Sequence, residues 1–437
     1  MNHLDVPGVL LLHHHELVAR ASTVMEHVEA FRRYSQFAVW NVNTALGFPQ
    51  GLRGCRFHTI VLHYSLFGMV PYQLDERFLD YLDRSEASYK IAFFQDEHHY
   101  CRQRFGFLDR HNVDCVYTLI EPEYFQQVYQ QHTRVPKLIY TIPGYVSDDL
   151  VALGRRFTKP DGDRRIDIGY RGRKLSPYMG QGSQEKYDIA VRFHRHAERS
   201  GLKLDIESDE SRRIYGDQWY QFLANCRAVL GVEAGVSIFD VDDIVRTEYE
   251  RVMAEYPDAS FEELSGDLLH QWEGNIPYRT ISPRHFEAAA FRTCQILFEG
   301  AYSGIMQPME HYIPLKKDFS NVEDVLTMFR DGALRRELTE NAYRDLIASG
   351  NYKYRRFVEG FDRDLQQQGL QLKIAPDTIA AVDRLLRRDS LPRQLRALLR
   401  ATLYYPFPGR RIVQPKIKQV LIRYEGIKAG RLHKPTS

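Results

Sequence analysis

The sequence predicts an α/β protein of two Rossmann-like domains in series, with a basic helical extension at the C-terminus. Three observations carry this. Short continuous apolar runs alternate with amphipathic segments over residues 8–141 and again over 166–348, the pattern of parallel sheets covered on both faces. A polar, turn-rich stretch at residues 159–165 separates the two series. At 437 residues, with 43% hydrophobic and 12% aromatic content, the chain has material for two to three domains with sizeable cores.

In the first series strands are expected at residues 8–12, 37–40, 59–63, 90–95, 114–119 and 137–141. Helices fall at 22–34, with Val24, Val28 and Phe31 inward, and at 74–82, 100–109 and 121–131. The second series has strands at 166–170, 202–206, 228–232, 294–298 and 312–315. Its helices lie at 184–199, 217–225, from Pro283 to about Phe291, 322–330 and 333–348, and a charged helical insertion covers 240–269. The division is then residues 1–158, residues 165–350, a closing helical segment over 351–374, and a basic amphipathic tail over 375–437.

The net charge of +2 conceals an asymmetry. From Asp383 onward there are 14 Lys and Arg against 3 Asp and Glu, so this stretch carries +11 and the rest −9. Residues 379–399 interleave Leu385, Leu386, Leu395 and Leu398 with Arg384, Arg387, Arg388, Arg393 and Arg396. Tyr404, Tyr405 and Phe407 then form an aromatic turn with Pro406 and Pro408, followed by an apolar run at 417–422 flanked by Lys416, Lys418 and Arg423. Such a tail suits an anionic membrane surface, or else packs as a surface helix pair with solvated arginines. The five cysteines form no CxxC and no framework spacing, and read as reduced core residues. No apolar run has the length to span a bilayer, and the run at 9–12 is too short for a signal peptide. The expected location is the cytoplasm, soluble or peripheral on the inner face of the membrane, and no nucleic-acid partner is expected.

The stretch around which the chain is organised is Ser282-Pro283-Arg284-His285-Phe286-Glu287. Ser282 is a good N-cap and Pro283 suits the first helical position. A helix N-terminus attracts phosphate through its N–H groups and dipole. Arg284 adds charge at the mouth, and Glu287, one turn in, can accept from a ribose diol. The competing reading is an ordinary capped helix. Arg171, Gly172 and Lys174 follow the strand that opens the second domain, where a parallel strand's carboxyl end receives ligands. Gly235 and Ser237 occupy an equivalent loop, suited to a phosphate or sugar or to a simple turn. In the first domain, Asp96, Glu97, His98 and His99 follow the strand at 90–95. Asp96 or His98 is the candidate general base, with Glu97 orienting it; the alternative is Asp96 as a helix N-cap. His13, His14, His15 and His63 also end strands. No metal-spaced Cys/His set occurs, and Asp240 with Asp242 reads as an acidic cluster at a helix N-terminus.

Two Rossmann-like domains, the loops Ile168-Gly169-Tyr170-Arg171-Gly172 and Gly231-Val232-Glu233-Ala234-Gly235-Val236-Ser237, and the segment Phe286-Glu287-Ala288-Ala289-Ala290 together resemble a GT-B glycosyltransferase. The likeness covers roughly residues 8–370 as an architecture and is nearest to bacterial enzymes that build surface polysaccharide. It implies that the donor nucleotide-sugar lies against the second domain, that Glu287 binds its ribose, and that a glycan or lipid-linked acceptor lies on the first. It implies no cofactor beyond the nucleotide-sugar co-substrate and no metal. Many retaining members carry an acid eight residues before that Glu, and here the position is Arg279. The Gly usual after the Glu-Ala segment gives way to Phe291 and Arg292. Inverting, metal-independent transfer is therefore expected. The rivals are a sugar-nucleotide epimerase and a non-catalytic GT-B-like module of a membrane assembly complex.

Overall fold

The computed structural model describes residues 3–16, 23–68 and 70–404. The first half forms a six-stranded sheet from β1 (Leu4–His13), β2 (Val39–Asn43), β3 (Cys55–Leu62), β4 (Tyr89–Phe93), β5 (Cys115–Thr118) and β6 (Lys137–Tyr140). Its order is β2-β1-β3-β4-β5-β6, and each neighbouring pair is parallel. Leu10, Leu12, Ile60 and Leu62 face one core, and Val9, Leu11 and Val61 face the other. That two-sided burial is why these strands read as unbroken apolar runs. The helices α1 (Thr23–Tyr34), α2 (Glu76–Asp83) and α3 (Cys101–Arg110) lie in the crossovers. Between β5 and β6 the expected helix is present only as a 3-10 turn at Pro122–Tyr124 and a π-helical turn at Gln126–Gln130.

A further helix, α4 (Asp148–Phe157), follows β6 where no element was expected. Ser147 caps it by accepting from Leu150 N at 3.0 Å. It precedes the polar turn at 159–165, yet it packs onto the second half. A Cβ on Gly154 would meet the carbonyl oxygen of Ala290 at 2.4 Å.

The second sheet has the order β13-β12-β9-β7-β8 and is also all parallel. Its first elements are β7 (Ile166–Arg171), α5 (Gln181–Ala197), β8 (Leu204–Glu207), α6 (Asp217–Asn225) and β9 (Cys226–Gly231). A two-stranded antiparallel ribbon follows, β10 (Ala234–Val236) with β11 (Tyr278–Thr280), enclosing α7 (Ile244–Glu255) and α8 (Phe261–Leu264). Then come α9 (Pro283–Ala290), β12 (Cys294–Phe298), β13 (Ile313–Leu315), α10 (Val322–Arg330) and α11 (Gly332–Ala342). After α9 the chain turns through Arg292 at φ +47°, the left-handed position that favours glycine in a helix stop. Arg292 is held there by Tyr343, 3.6 Å below its guanidinium, and by Glu340 at 2.7 Å.

The two halves are sewn together three times. α12 (Tyr354–Gln367) returns to the first sheet, where Tyr354, Val358, Phe361 and Leu365 join the core of Val9, Leu11 and Phe93. Buried Asp362 accepts from Ser35 Oγ and Gln36 N, both at 2.7 Å. The charged insertion packs its Val245, Leu264 and Leu269 into the core of the first sheet. Asp243 lies at its base and accepts from Cys101 N at 2.9 Å and Arg102 N at 3.0 Å, so α3 is capped from the other domain. Finally, α13 (Pro376–Arg387) and α14 (Ser390–Tyr404) dock on the first domain. Val382 is fully buried, Leu385 and Leu386 pack against the core, and Trp40 Nε1 donates to Asp383 at 2.9 Å. The apolar stripe expected to face a membrane is thus occupied by the protein's own core, which leaves Arg384, Arg387, Arg388 and Arg396 exposed. The aromatic turn and the run at 417–422 lie outside the described residues. All five cysteines are buried and unpaired. Among the described residues no helix is long and apolar enough to cross a membrane. Two Rossmann-like domains with a helical C-terminal extension make this an α/β fold of the GT-B arrangement.

Candidate active site

The carboxyl ends of β7 and β9 and the tip of α9 surround a hollow of about 910 Å³. It adjoins a second hollow of about 860 Å³, and the two share Arg171, Arg213, Trp219, Ser282 and Arg284. Ser282 has extended backbone (φ −94°, ψ 145°) and caps α9 as its sequence implies. Its hydroxyl accepts from Arg284 N at 3.4 Å, a long bond, and Pro283 has no N–H to offer. The tip therefore presents the Ser282 hydroxyl and the helix dipole more than free amides. Gly144, in the chain leaving the first sheet, lies against it, since a Cβ there would meet Pro283 Cγ at 2.9 Å.

Charge in the hollow is strongly positive. Arg171, Arg173, Lys186, Arg213 and Arg284 line it with no carboxylate among the lining residues. These cations differ in availability. Arg171 is pinned to Asp205 at 2.8 Å and lies over Phe222 at 4.5 Å, so it shapes the wall and its charge is matched. Arg213 pairs with Glu210 at 2.6 Å. Arg284 is exposed, donates to the carbonyl of Arg171 and lies over the Trp219 ring at 5.0 Å. Arg173 and Lys186 have no ion pair among the described residues. Burial, with help from Arg279, lowers the Lys186 pKa to about 8, and Asp96 of the first domain opposes that shift. Lys186 was not singled out from the sequence. It lies on α5, fifteen residues past the end of β7, and only the fold returns it to the strand end.

Glu287 lies one turn into α9, half-buried, on the second hollow. Its carboxylate accepts from Trp219 Nε1 at 2.7 Å. Burial raises its pKa, against the Trp219 hydrogen bond and the Arg284 charge. Gly172 lines the first hollow beside Arg171. Lys174 does not join them: its ammonium sits over Tyr187 at 5.5 Å, in a separate groove beside α8. Gly235 and Ser237 also turn away from the hollow. Gly235 (φ +95°) lies against the carbonyl of Tyr278, where any Cβ would collide at 1.9 Å, and Ser237 Oγ accepts from Gly182 N at 2.7 Å at the start of α5. Gly235 is held by the β10–β11 ribbon and Ser237 by the start of α5.

Of the first-domain candidates, Asp96 alone is exposed. Beyond β4 the chain leaves the sheet, with Asp96 exposed and its charge felt by Lys186, while Glu97, His98 and His99 are buried. Glu97 cannot orient a base in the cleft. It is buried, accepts from Thr118 Oγ1 at 2.6 Å and Leu119 N at 2.8 Å, and takes the Tyr129 hydroxyl as well. Burial raises its pKa against those bonds. His98 is enclosed between β4 and the β10–β11 ribbon, 5.9 Å from the Tyr278 ring, with neither ring nitrogen hydrogen-bonded. Burial, then the charges of His99, Arg104 and Lys186, hold it neutral, and no acceptor hydroxyl can reach it. Asp96 does not cap α3 either, because Asp243 does. His63 is likewise internal, hydrogen-bonded to His27 at 2.9 Å and to Ser65.

Arg279, at the position of the retaining acid, is in β11. It is paired with buried Glu185 and lies 3.5 Å from buried Glu233. Asp240 accepts from Ile244, Val245 and Arg246 N at 2.8, 3.0 and 2.9 Å, which makes it the acidic cap of α7. Among the described residues one cluster, Glu310, His311 and Asp345, has metal-like spacing. His311 Nδ1 already accepts from Gln307 N at 2.9 Å and Nε2 lies 3.2 Å from Asp345, so its lone pair is taken. None of the three lines either hollow.

No family model matches the chain, and no curated protein matches it in sequence. Solved structures do. One is an alpha-glucosyltransferase in complex with UDP-glucose and DNA containing an abasic site, at 11% identity over 82% of this chain and 98% of that one, with a TM-score of 0.48. A second is Anabaena HepE in complex with UDP and glucose, at 10% identity, covering 84% of this chain and 100% of that one, TM-score 0.46. A third is TarM, at 11% identity, covering 72% and 56%, TM-score 0.37. At such distances the activity has to be argued from the site.

Proposed function

We propose that this chain is a glycosyltransferase that moves a sugar from a nucleotide-sugar to a polysaccharide or lipid-linked acceptor. The observation that carries the reading is the acid-free hollow at the tip of α9, with the Glu287 carboxylate one turn away. Arg173, Lys186 and Arg284 suit the diphosphate of the donor, and Glu287 accepts from the ribose diol. Beyond Glu287 the second hollow continues past Trp219 and Tyr215, an aromatic wall suited to a nucleobase. The sugar would then point toward the first domain.

Glycosyl transfer builds negative charge on the leaving diphosphate. Cations held in a partly desolvated cleft stabilise that charge more as it develops than before. Lys186 suits this task because it has no carboxylate partner of its own among the described residues, so its charge is available to the diphosphate as the leaving group gains charge. Asp96, exposed just beyond β4, would take the acceptor's proton, as a direct displacement with inversion requires. The basic α13–α14 face would hold the enzyme beside an anionic membrane bearing its acceptor.

The test is turnover. The full-length protein is incubated with UDP-, GDP-, ADP- and dTDP-sugars, and nucleoside diphosphate release is followed with and without glycan acceptors. Acceptor-dependent release supports the reading. Tight nucleotide binding without release would support a non-catalytic module, isomerised donor would support an epimerase, and no nucleotide binding would end all three.

A further inference from the structure

A second cationic hollow lies at the other end of the first sheet, where β1 and β3 begin. Its volume is about 670 Å³, and Arg53, Arg56, Arg77 and Arg84 line it over a floor of Phe48 and Tyr81. One acid, Asp80, shares the lining. Arg77 pairs with Asp75 at 2.7 Å and Arg56 lies 3.7 Å from Asp5, while Arg53 and Arg84 have no ion pair among the described residues. Arg53 and Arg84 therefore add charge that no carboxylate pairs among the described residues, and the planar donor forks of the four guanidinium groups match phosphate oxygens.

The hollow is continuous with the basic helices. Gly51, two residues before Arg53, lies directly beneath α13, where a Cβ would meet the Leu385 carbonyl oxygen at 2.1 Å. Gly47 joins the two regions: its carbonyl accepts from Arg393 of α14 at 3.2 Å, and its open side lies 4.0 Å from Arg77 Nη2. The helices that carry the exposed Arg384, Arg387, Arg388 and Arg396 are therefore seated on the segment that supplies Arg53. Since the apolar stripe of these helices is already packed, the surface can engage a partner through charge.

We propose that this hollow is a phosphate-binding site, distinct from the donor cleft, that seats phosphate groups at the head of an extended basic face. Two sources offer that chemistry: the headgroups of an anionic lipid surface and a soluble phosphate ester. The site does not depend on the donor reading, because it shares no residue with the cleft.

The full-length protein is tested by sedimentation with phosphatidylcholine vesicles, with and without about one third phosphatidylglycerol, and by calorimetry with glycerol 3-phosphate. The test variant is Arg53→Ala/Arg84→Ala. The control is Arg195→Ala/Arg199→Ala, two exposed arginines in the last turn of α5 and the turn just beyond it. Near an anionic surface each basic side chain contributes about fivefold, so the test variant should bind phosphatidylglycerol vesicles about 30-fold more weakly. The control and nucleotide binding at the cleft should be unchanged. Loss confined to glycerol 3-phosphate would support the site with a soluble ester as its ligand. Wild-type protein that binds neither probe, a test variant that keeps full affinity for both, or an equal loss in the control would overturn the proposal.

Discussion

Replacing Lys186 with Met isolates the cation on which the donor site turns. The side chain lines the hollow without an ion pair among the described residues, and the hydrogen bond from Tyr170 Oη at 2.8 Å goes to its backbone carbonyl. Met keeps the aliphatic stem, so packing survives and the melting temperature without nucleotide should not fall. A charge-assisted contact to phosphate contributes about 1.5–3 kcal/mol. The variant should therefore bind UDP or its best nucleoside diphosphate about 10- to 150-fold more weakly at pH 7. The pH dependence supplies a second signature. With its pKa lowered to about 8, Lys186 carries its charge below that pH and loses it above. An ordinary lysine would hold its charge for two further pH units. Wild-type affinity should thus fall as pH rises from 7 to 9, and the Met variant should be flat there. Binding near pH 8 should also take up protons, because a bound diphosphate raises the lysine's pKa; calorimetry in two buffers of different ionisation enthalpy reads this directly. A variant of unchanged affinity, or a wild type indifferent to pH between 7 and 9, would refute the reasoning.

Three other outcomes are expected. Glu287→Ala should weaken nucleoside diphosphate binding about tenfold or more by calorimetry while costing at most about 1 kcal/mol of stability, the loss of one acceptor for Trp219 Nε1. Asp96→Asn should keep nucleotide affinity and lose acceptor-dependent turnover by about 100-fold or more, the contribution of a general base; retained turnover would assign the proton to another group. Asp243→Ala should destabilise the protein by about 1–2 kcal/mol in denaturant unfolding, because it uncaps α3, and hydrogen exchange at Cys101 and Arg102 should accelerate most.

Periodicity was enough for elements whose burial is one-sided or complete. α6, β12 and α10 begin and end where the pattern does, because Tyr220, Phe222 and Leu223, the run Cys294 to Phe298, and Val325, Leu326 and Phe329 are all buried. The signal for α4 was also present, in Ser147 followed by Asp148 and Asp149, a capped helix start with acids in its first turn. The β10–β11 ribbon was not legible: three-residue strands carry too little pattern, and Gly235 reads as a turn in isolation. Ser282, Arg284 and Glu287 could be found because one helix start holds all three. Lys186 could not, since its place in the cleft depends on the long return from β7 to α5. The run at Asp96 to His99 shows the limit most clearly. Four titratable neighbours look alike in sequence, but the turn beyond β4 and the packing around it leave one exposed and bury three. The β10–β11 ribbon arrives from as far as 183 positions away, as the hydrogen bond from the Tyr278 hydroxyl to the Gln95 carbonyl shows, and no local pattern announces it.

The most direct measurement is a crystal structure of the full-length protein soaked with UDP or its best nucleoside diphosphate. The account predicts the two phosphates within hydrogen-bond reach of Lys186, Arg284 and the Ser282 hydroxyl, and the ribose hydroxyls on the Glu287 carboxylate. A nucleotide bound at saturating concentration away from the tip of α9, or turned so that Glu287 meets the base and no cation meets the phosphates, would contradict it.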